Sequence, residues 1–184
     1  MRLFWQRGYY GTPIDALIAE AGLNRSMIYR RFKTKRDFFC VVLEHYRDTV
    51  SARMTAPLQV PDADLAAVRV FFRRLRTLAQ SEQSRMGCLM VMTGSEVSTR
   101  DRSIARIVTE FLDSVRALFV AALERAGAEG QLHERVEPVK LADYLLGALL
   151  GVLSLARSPL PRAAVVNYVD EVLVQLDGLT PTRR

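Results

Sequence analysis

TPIDALIAEAGLNRSMIYRRF, Thr12 to Phe32, decides how this chain reads. Ile14, Leu17, Ile18 and Ala21 recur at i, i+3, i+4 and i+7, the stripe of a short amphipathic helix. Thr12 stands at the capping position and Pro13 at the first helical one, where proline's missing N–H is no loss. Gly22 supplies a helix end, Leu23 and Asn24 make a turn, and Asn24 caps a third helix from Arg25 to Phe32. Two short helices joined by so brief a turn have helix-turn-helix spacing.

Working outward, Leu3 to Arg7 reads as the end of a first helix, stopped by Gly8. Met1 falls inside that helix, so a longer first helix and a truncated start are expected. Thr34 caps a fourth, long helix from Lys35 to about Met54, with Phe38, Val42 and Tyr46 on its apolar face. Pro57 to Pro61 breaks the pattern, and five helices are expected beyond it, near 62–80, 85–97, 100–126, 137–156 and 161–177. No stretch alternates as a strand does. The expected fold class is all-α: an N-terminal three-helix helix-turn-helix domain over residues 1–48, then a C-terminal helical bundle, 49–184, for regulation and dimerisation.

The last two helices carry Leu141, Leu145, Ala148, Leu149, Val152 and Leu155, then Val165, Val169, Val172, Leu173 and Leu176. This is more apolar surface than one small domain uses, which predicts a homodimer interface. The segment 139–156 is apolar, but Lys140, Asp143 and two glycines interrupt it short of the roughly 20 residues a bilayer crossing needs, so a buried helix and no membrane partner are expected.

Charge is distributed unevenly. The chain carries +6 overall, and residues 1–48 hold nine Arg or Lys against five Asp or Glu, while the rest hold seventeen against fifteen. A basic excess gathered at one end favours an anionic macromolecule as partner. On a wheel of 100° per residue, Ile28 and Phe32 of the third helix face inward and Ser26 and Arg30 nearly opposite. Arg25 and Tyr29 flank one side, Met27 and Arg31 the other. Arginine reads guanine bidentately, methionine touches a thymine methyl, and Tyr or Ser holds phosphate oxygens, so this mixture suits double-stranded DNA. Lys35 and Arg36 sit in the first turn of the fourth helix, where the helix dipole disfavours cations. A phosphate on that turn, and another at the helix behind Thr12, is the expected compensation.

GYYGTPIDALIAEAGLNRSMIYRRFKTKRDFF, residues 8–39, resembles the DNA-binding domain of the tetracycline-repressor family. The shared pattern is Gly-Tyr before a Thr-capped helix, Ala-Gly-Val/Leu in the turn, Tyr-x-x-Phe, then x-Lys-x-x-Leu/Phe. The resemblance implies an operator-binding, ligand-responsive regulator, with Thr12, Arg25, Ser26, Tyr29, Arg30, Arg31 and Lys35 at positions that touch DNA, and the wheel adds Met27 to them. Cys40 and Cys88, with no secretory signal ahead of them, make a reducing cytoplasm the expected compartment. Met27 replaces a usual Thr or Ser and Arg31 a usual Tyr, so the base sequence read differs from that of relatives. MGCLMVMTGSEVS, residues 86–98, resembles a Gly-Cys-Leu segment of one subgroup, some of whose members sense electrophiles. That implies a redox role for Cys88, set against the ordinary part of a small buried hydrophobe.

Cys40 and Cys88 lie in separate segments without metal-ligand spacing, His45 and His133 are isolated, and neither a nucleophile elbow nor a phosphate loop occurs. No enzyme, metal or cofactor is expected. A mostly apolar effector is expected within the larger domain, against Phe71, Leu75, Met90, Phe111, Val115 and Tyr144. The competing reading is a helical small-molecule-binding protein whose incomplete first helix impairs DNA binding.

Overall fold

A computed structural model describes residues 1–22, 25–98 and 100–181; Leu23 and Asn24, the expected turn and cap, lie outside it, as do the side chains of Ala21 and Met27. Among the described residues the chain is helical throughout, without a strand. Its α-helices are α1 (Arg2–Arg7), α2 (Ile14–Ala21), α3 (Arg25–Arg31), α4 (Lys35–Tyr46), α5 (Ala52–Thr55), α6 (Leu65–Gln80), α7 (Leu89–Glu96), α8 (Arg102–Ala128), α9 (Pro138–Leu155) and α10 (Arg162–Asp177). The expected fourth helix to about Met54 is a continuous helical run in which a π-helical turn, Arg47–Ser51, joins α4 to α5.

Packing divides the chain into two compact units. The first is Met1–Ser51 with Cys88–Phe111, the second Ala52–Gly87 with Leu112–Arg184.

In the first unit, α1 buries Leu3 and Phe4, and the Phe4 ring centroid lies 4.7 Å from that of Phe39 on α4. Tyr9 joins them, 4.9 Å from Phe39. Ile28 of α3 is buried, and just beyond that helix Phe32 meets Phe38 at 4.8 Å. Gly22 takes the left-handed conformation, φ 62°, and its N–H closes α2 onto Ile18 and Ala19 carbonyls, as the glycine's position predicted. Thr34 caps α4 in a reciprocal capping box with Asp37, both bonds 3.1 Å. Thr12 departs from expectation. α2 has Pro13 at its cap position and no side-chain cap bond, because the buried Thr12 hydroxyl instead donates to the carbonyls of Gly8 (2.7 Å) and Leu3 (3.3 Å), tying the loop back to α1.

In the second unit, Asp64 caps α6, accepting from Ala66 and Ala67 N–H groups. The buried stripe of α6, Leu65, Val68, Phe71, Phe72, Leu75 and Ala79, packs against α10. Arg69 pairs with Asp177 and Arg76 with Asp170. Two arginines seven apart meet two aspartates seven apart in inverted order, as antiparallel helices require. Each partly exposed pair is worth about 1 kcal/mol at most, so the apolar stripe holds α10 down and the charges set its register. Phe119 of α8 completes an aromatic cluster, 5.3 Å from Phe71 and edge-on to it. Val165, Val169, Val172 and Leu176 are thereby buried within the chain, which corrects their assignment to a subunit interface. α9 is long and apolar enough by composition to cross a bilayer, with mean hydropathy 1.5, yet only 28% of it is buried. The expected buried helix is buried along one stripe, Ala142, Leu145, Ala148, Leu149 and Val152, leaving Val139, Tyr144 and Gly147 exposed.

Candidate nucleic-acid interface

α3 turns Ile28 inward, 4% exposed, and leaves Arg25, Ser26, Tyr29, Arg30 and Arg31 exposed. This is the arrangement the wheel predicted, with Met27 outside the described side chains. The three arginines are not equivalent. Arg25 forms an ion pair with Asp15 of α2. Arg31 lies 5.8 Å from the Phe32 ring centroid, a cation–π contact. Arg30 has no ion-pair or aromatic partner among the described residues, so its guanidinium is the least committed of the three.

The start of α4 also carries cations, but their compensation differs from expectation. Arg36 grips Asp101 through Nε and Nη2, the latter at 3.1 Å, so its counter-ion comes from the protein rather than from a phosphate. The same Asp101 carboxylate accepts the N–H groups of Ser103 (3.0 Å) and Ile104 (3.1 Å) and so caps α8. The Arg36 guanidinium holds the Asp101 carboxyl below the usual carboxylate range. Lys35 is half-buried, with Nζ 4.4 Å from the Tyr9 ring centroid. Burial pushes its ammonium down, and Glu96 partly opposes that. Thr12 is fully buried, its hydroxyl occupied by two carbonyls, so its side chain has no surface to offer a phosphate.

Glu96, at the end of α7, was not singled out by sequence reasoning. Its two carboxylate oxygens accept the backbone N–H groups of Tyr9 (2.9 Å) and Tyr10 (2.8 Å). Gly8 makes this approach possible: its φ is +73°, and a Cβ there would stand 2.5 Å from a Glu96 oxygen. Arg100 adds a cation–π contact to Tyr10 at 5.8 Å. The sequence offered only an acid in the last turn of a helix, where the dipole disfavours it, with Arg100 four residues on as an apparent local partner that hides its real one.

The remaining sequence-predicted residues are scattered. Phe71, Leu75 and Val115 are buried in the second unit, while Met90 and Phe111 belong to the first. Tyr144, expected to orient a ligand from an interior wall, is 49% exposed on α9. Leu75 lines a recess of about 10 Å³ with Leu78, Val152, Leu153 and Ala156, close to the least that holds one water. Cys88 lacks both features a sensor requires. It is 5% exposed, and burial pushes its thiol up, although the Tyr46 hydroxyl shares a hydrogen bond with it. Among the described residues no cluster of His, Cys, Asp or Glu has metal-binding geometry.

Cations gathered on one exposed helix whose opposite side is buried suit the charged, grooved surface of duplex DNA, and this fold and site define a helix-turn-helix DNA-binding transcriptional regulator. Comparison with known proteins refines that class. Residues 1–40 match the family model described as bacterial regulatory proteins, tetR family, and residues 65–166 match the tetracyclin repressor-like C-terminal domain. The chain belongs to the tetR family. It is 25% identical over 178 residues to the uncharacterized HTH-type transcriptional regulator YezE of Bacillus subtilis (strain 168), covering 96% of this chain and 92% of that one. The crystal structure of E. coli NemR in reduced form superposes with TM-score 0.83 at 22% identity, covering 99% of this chain and 93% of the other. A cysteine mutant of CifR, complexed with 26 bp double-strand operator DNA, superposes with TM-score 0.80 at 22% identity, covering 93% and 90%.

Proposed function

We propose that this chain is a dimeric, ligand-responsive repressor that reads a palindromic operator with α3, one copy per half-site about one DNA turn apart. The observation that carries the reading is the uncommitted, exposed Arg30 on a helix otherwise anchored by Ile28. Arg30 is the base-reading residue, with Arg25, Ser26, Met27, Tyr29 and Arg31 around it. Lys35 holds a phosphate beside the groove. These assignments favour a working DNA reader over a small-molecule-binding protein that has lost that activity. The functional division is a DNA head of residues 1–48 and a body of 49–184, with α7 and the start of α8 packed into the head's own unit. We place the protein in the cytoplasm, with its operator, and assign it no catalytic role.

The second copy docks on the exposed side of α9, where Tyr144 and Gly147 stand one helical turn apart and Tyr168 of α10 lies beside Gly151. A mostly apolar effector bound in the body releases the operator by changing the spacing of the two recognition helices, since a shift of a few ångströms spoils docking in successive major grooves. Phe71, Leu75 and Val115 remain candidate contacts there if helices part, whereas Tyr144 belongs to the dimer surface and Cys88 to the core. The testing experiment is a mobility-shift assay on the DNA flanking the protein's own gene. A retarded band that resists excess unrelated DNA is expected, and binding no tighter than to unrelated DNA refutes the reading.

A further inference from the structure

Residues 96–101 lie beyond the stretch matched by the DNA-binding family model, yet they grip the head at three points. Glu96 takes the Tyr9 and Tyr10 N–H groups, Arg100 covers the Tyr10 ring, and Asp101 holds Arg36. The Glu96 contact has the most specific geometry. Both carboxylate oxygens are used, one for each successive N–H, at a loop where Gly8 leaves the space a side chain would fill. That loop carries Tyr9, whose ring packs on Phe39 and supports the Lys35 ammonium. The Thr12 hydroxyl, donating to the Gly8 carbonyl with the Leu3 carbonyl also within reach, ties the loop down up to the start of α2.

The physical oddity is one of charge. A carboxylate beside a lysine that meets phosphates repels the same DNA, and it sits at the helix end where the dipole also disfavours it. What Glu96 does hold in place is the Tyr9–Tyr10 backbone. We propose that Glu96 is a positioning residue for DNA binding: by clamping the Tyr9–Tyr10 backbone it fixes the ring on which Lys35 rests, and so aims that ammonium at the operator backbone. The proposal rests on Lys35 contacting phosphate.

Charge and position predict opposite signs, which makes the test decisive. Operator affinity of the full chain is measured by fluorescence anisotropy from 50 to 300 mM salt for wild type, Glu96→Gln, Glu96→Asp, Lys35→Ala and Glu96→Gln/Lys35→Ala, with thermal unfolding of each. If Glu96 only repels DNA, Glu96→Gln binds more tightly. If it positions, both Glu96→Gln and the charge-retaining but one methylene shorter Glu96→Asp bind about tenfold more weakly, with little change in melting temperature. In the Lys35→Ala background Glu96→Gln then causes less than a twofold further loss. A purely structural Glu96 lowers affinity equally in both backgrounds, which overturns the proposal, as does unchanged or tighter binding by both single variants. Should Glu96→Gln fail to fold, Glu96→Asp carries the same two readings. Lys35→Ala alone reports on the underlying phosphate contact: an unchanged salt slope refutes that contact and the proposal with it. A reduced slope with Glu96 variants unaffected refutes only the role of Glu96.

Discussion

Arg30→Ala tests the proposed base-reading contact with little collateral damage. Arg30 is exposed and has no ion-pair partner among the described residues, so truncating it strands no buried charge and breaks no bridge. In the last turn of α3 it gains a few tenths of a kcal/mol from the helix dipole, while alanine's helix propensity offsets about as much. Folding stability should therefore stay within about 0.5 kcal/mol of wild type. A bidentate contact to guanine O6 and N7 discriminates by about 1–3 kcal/mol. A two-fold dimer loses the contact in both half-sites, about 2–6 kcal/mol in total, which at 1.4 kcal/mol per tenfold is about thirtyfold to about 10⁴-fold in operator affinity. Arg25→Ala should cost less, because Arg25 must loosen an ion pair with Asp15 before it can serve DNA. The assay is anisotropy on the operator fragment and on a scrambled duplex of equal length and labelling. The expected result for Arg30→Ala is collapse of the ratio between the two affinities. If the variant keeps the wild-type ratio, α3 does not read bases through Arg30, and the assignment of the recognition surface is wrong.

Acid should destabilise the fold through Asp101, Asp143 and Asp170, whose carboxyls are held below the usual range by Arg36, Arg116 and Arg76. A carboxylate with a depressed folded pKa stabilises the protein above its unfolded value of about 3.9 and loses that contribution as pH falls through the folded pKa. The urea midpoint should therefore be level from pH 7 to about 5 and fall below about pH 4, with a smaller fall in Asp101→Asn; an equal fall in that variant removes Asp101 from the account. Gly147→Arg should raise the dimer dissociation constant at least tenfold by light scattering, because a Cβ at Gly147 meets nothing within 4 Å among the described residues and arginine's helix propensity exceeds glycine's. Leu149→Arg, by contrast, buries a charge at a 6% exposed position and should unfold the body, and a folded dimeric Leu149→Arg would contradict that packing. Cys88 should resist thiol reagents in the native protein and react only on unfolding, and Cys88→Ser should leave the response to oxidants unchanged; rapid labelling of Cys88 would restore the sensor reading.

The head was legible in the sequence because its signals are local. Gly22 and Thr34 each act within one helical turn, and the wheel of α3 needs only Ile28 inside to put Arg25, Tyr29 and Arg30 outside. Thr12 misled because a hydroxyl at a capping position has a second choice. Here the carbonyls of Gly8 and Leu3 lie within reach and the α2 N–H groups go without it. Arg36 misled for the complementary reason, since its counter-ion Asp101 is 65 residues away and no local pattern joins them. Glu96 combines both difficulties: an acid whose partners are backbone groups carries no side-chain signature at either end.

In the body, periodicity marked which residues of α9 and α10 are apolar but not what covers them. The surplus of valines and leucines suggested a second subunit, and for α10 the covering element is α6 of the same chain. A mark of that pairing was present in the residues themselves. Arg69 and Arg76 repeat every seven positions on one helix, and Asp170 and Asp177 repeat every seven on another, so a single antiparallel alignment satisfies both pairs. Exposed ion pairs add little stability, yet their spacing is informative because a one-turn slip would break both at once. Subtracting the α6-facing stripe leaves Tyr144 and Gly147 of α9 and Tyr168 and Val174 of α10 exposed, and it is this remainder, rather than the whole apolar content, that measures how much surface awaits a partner.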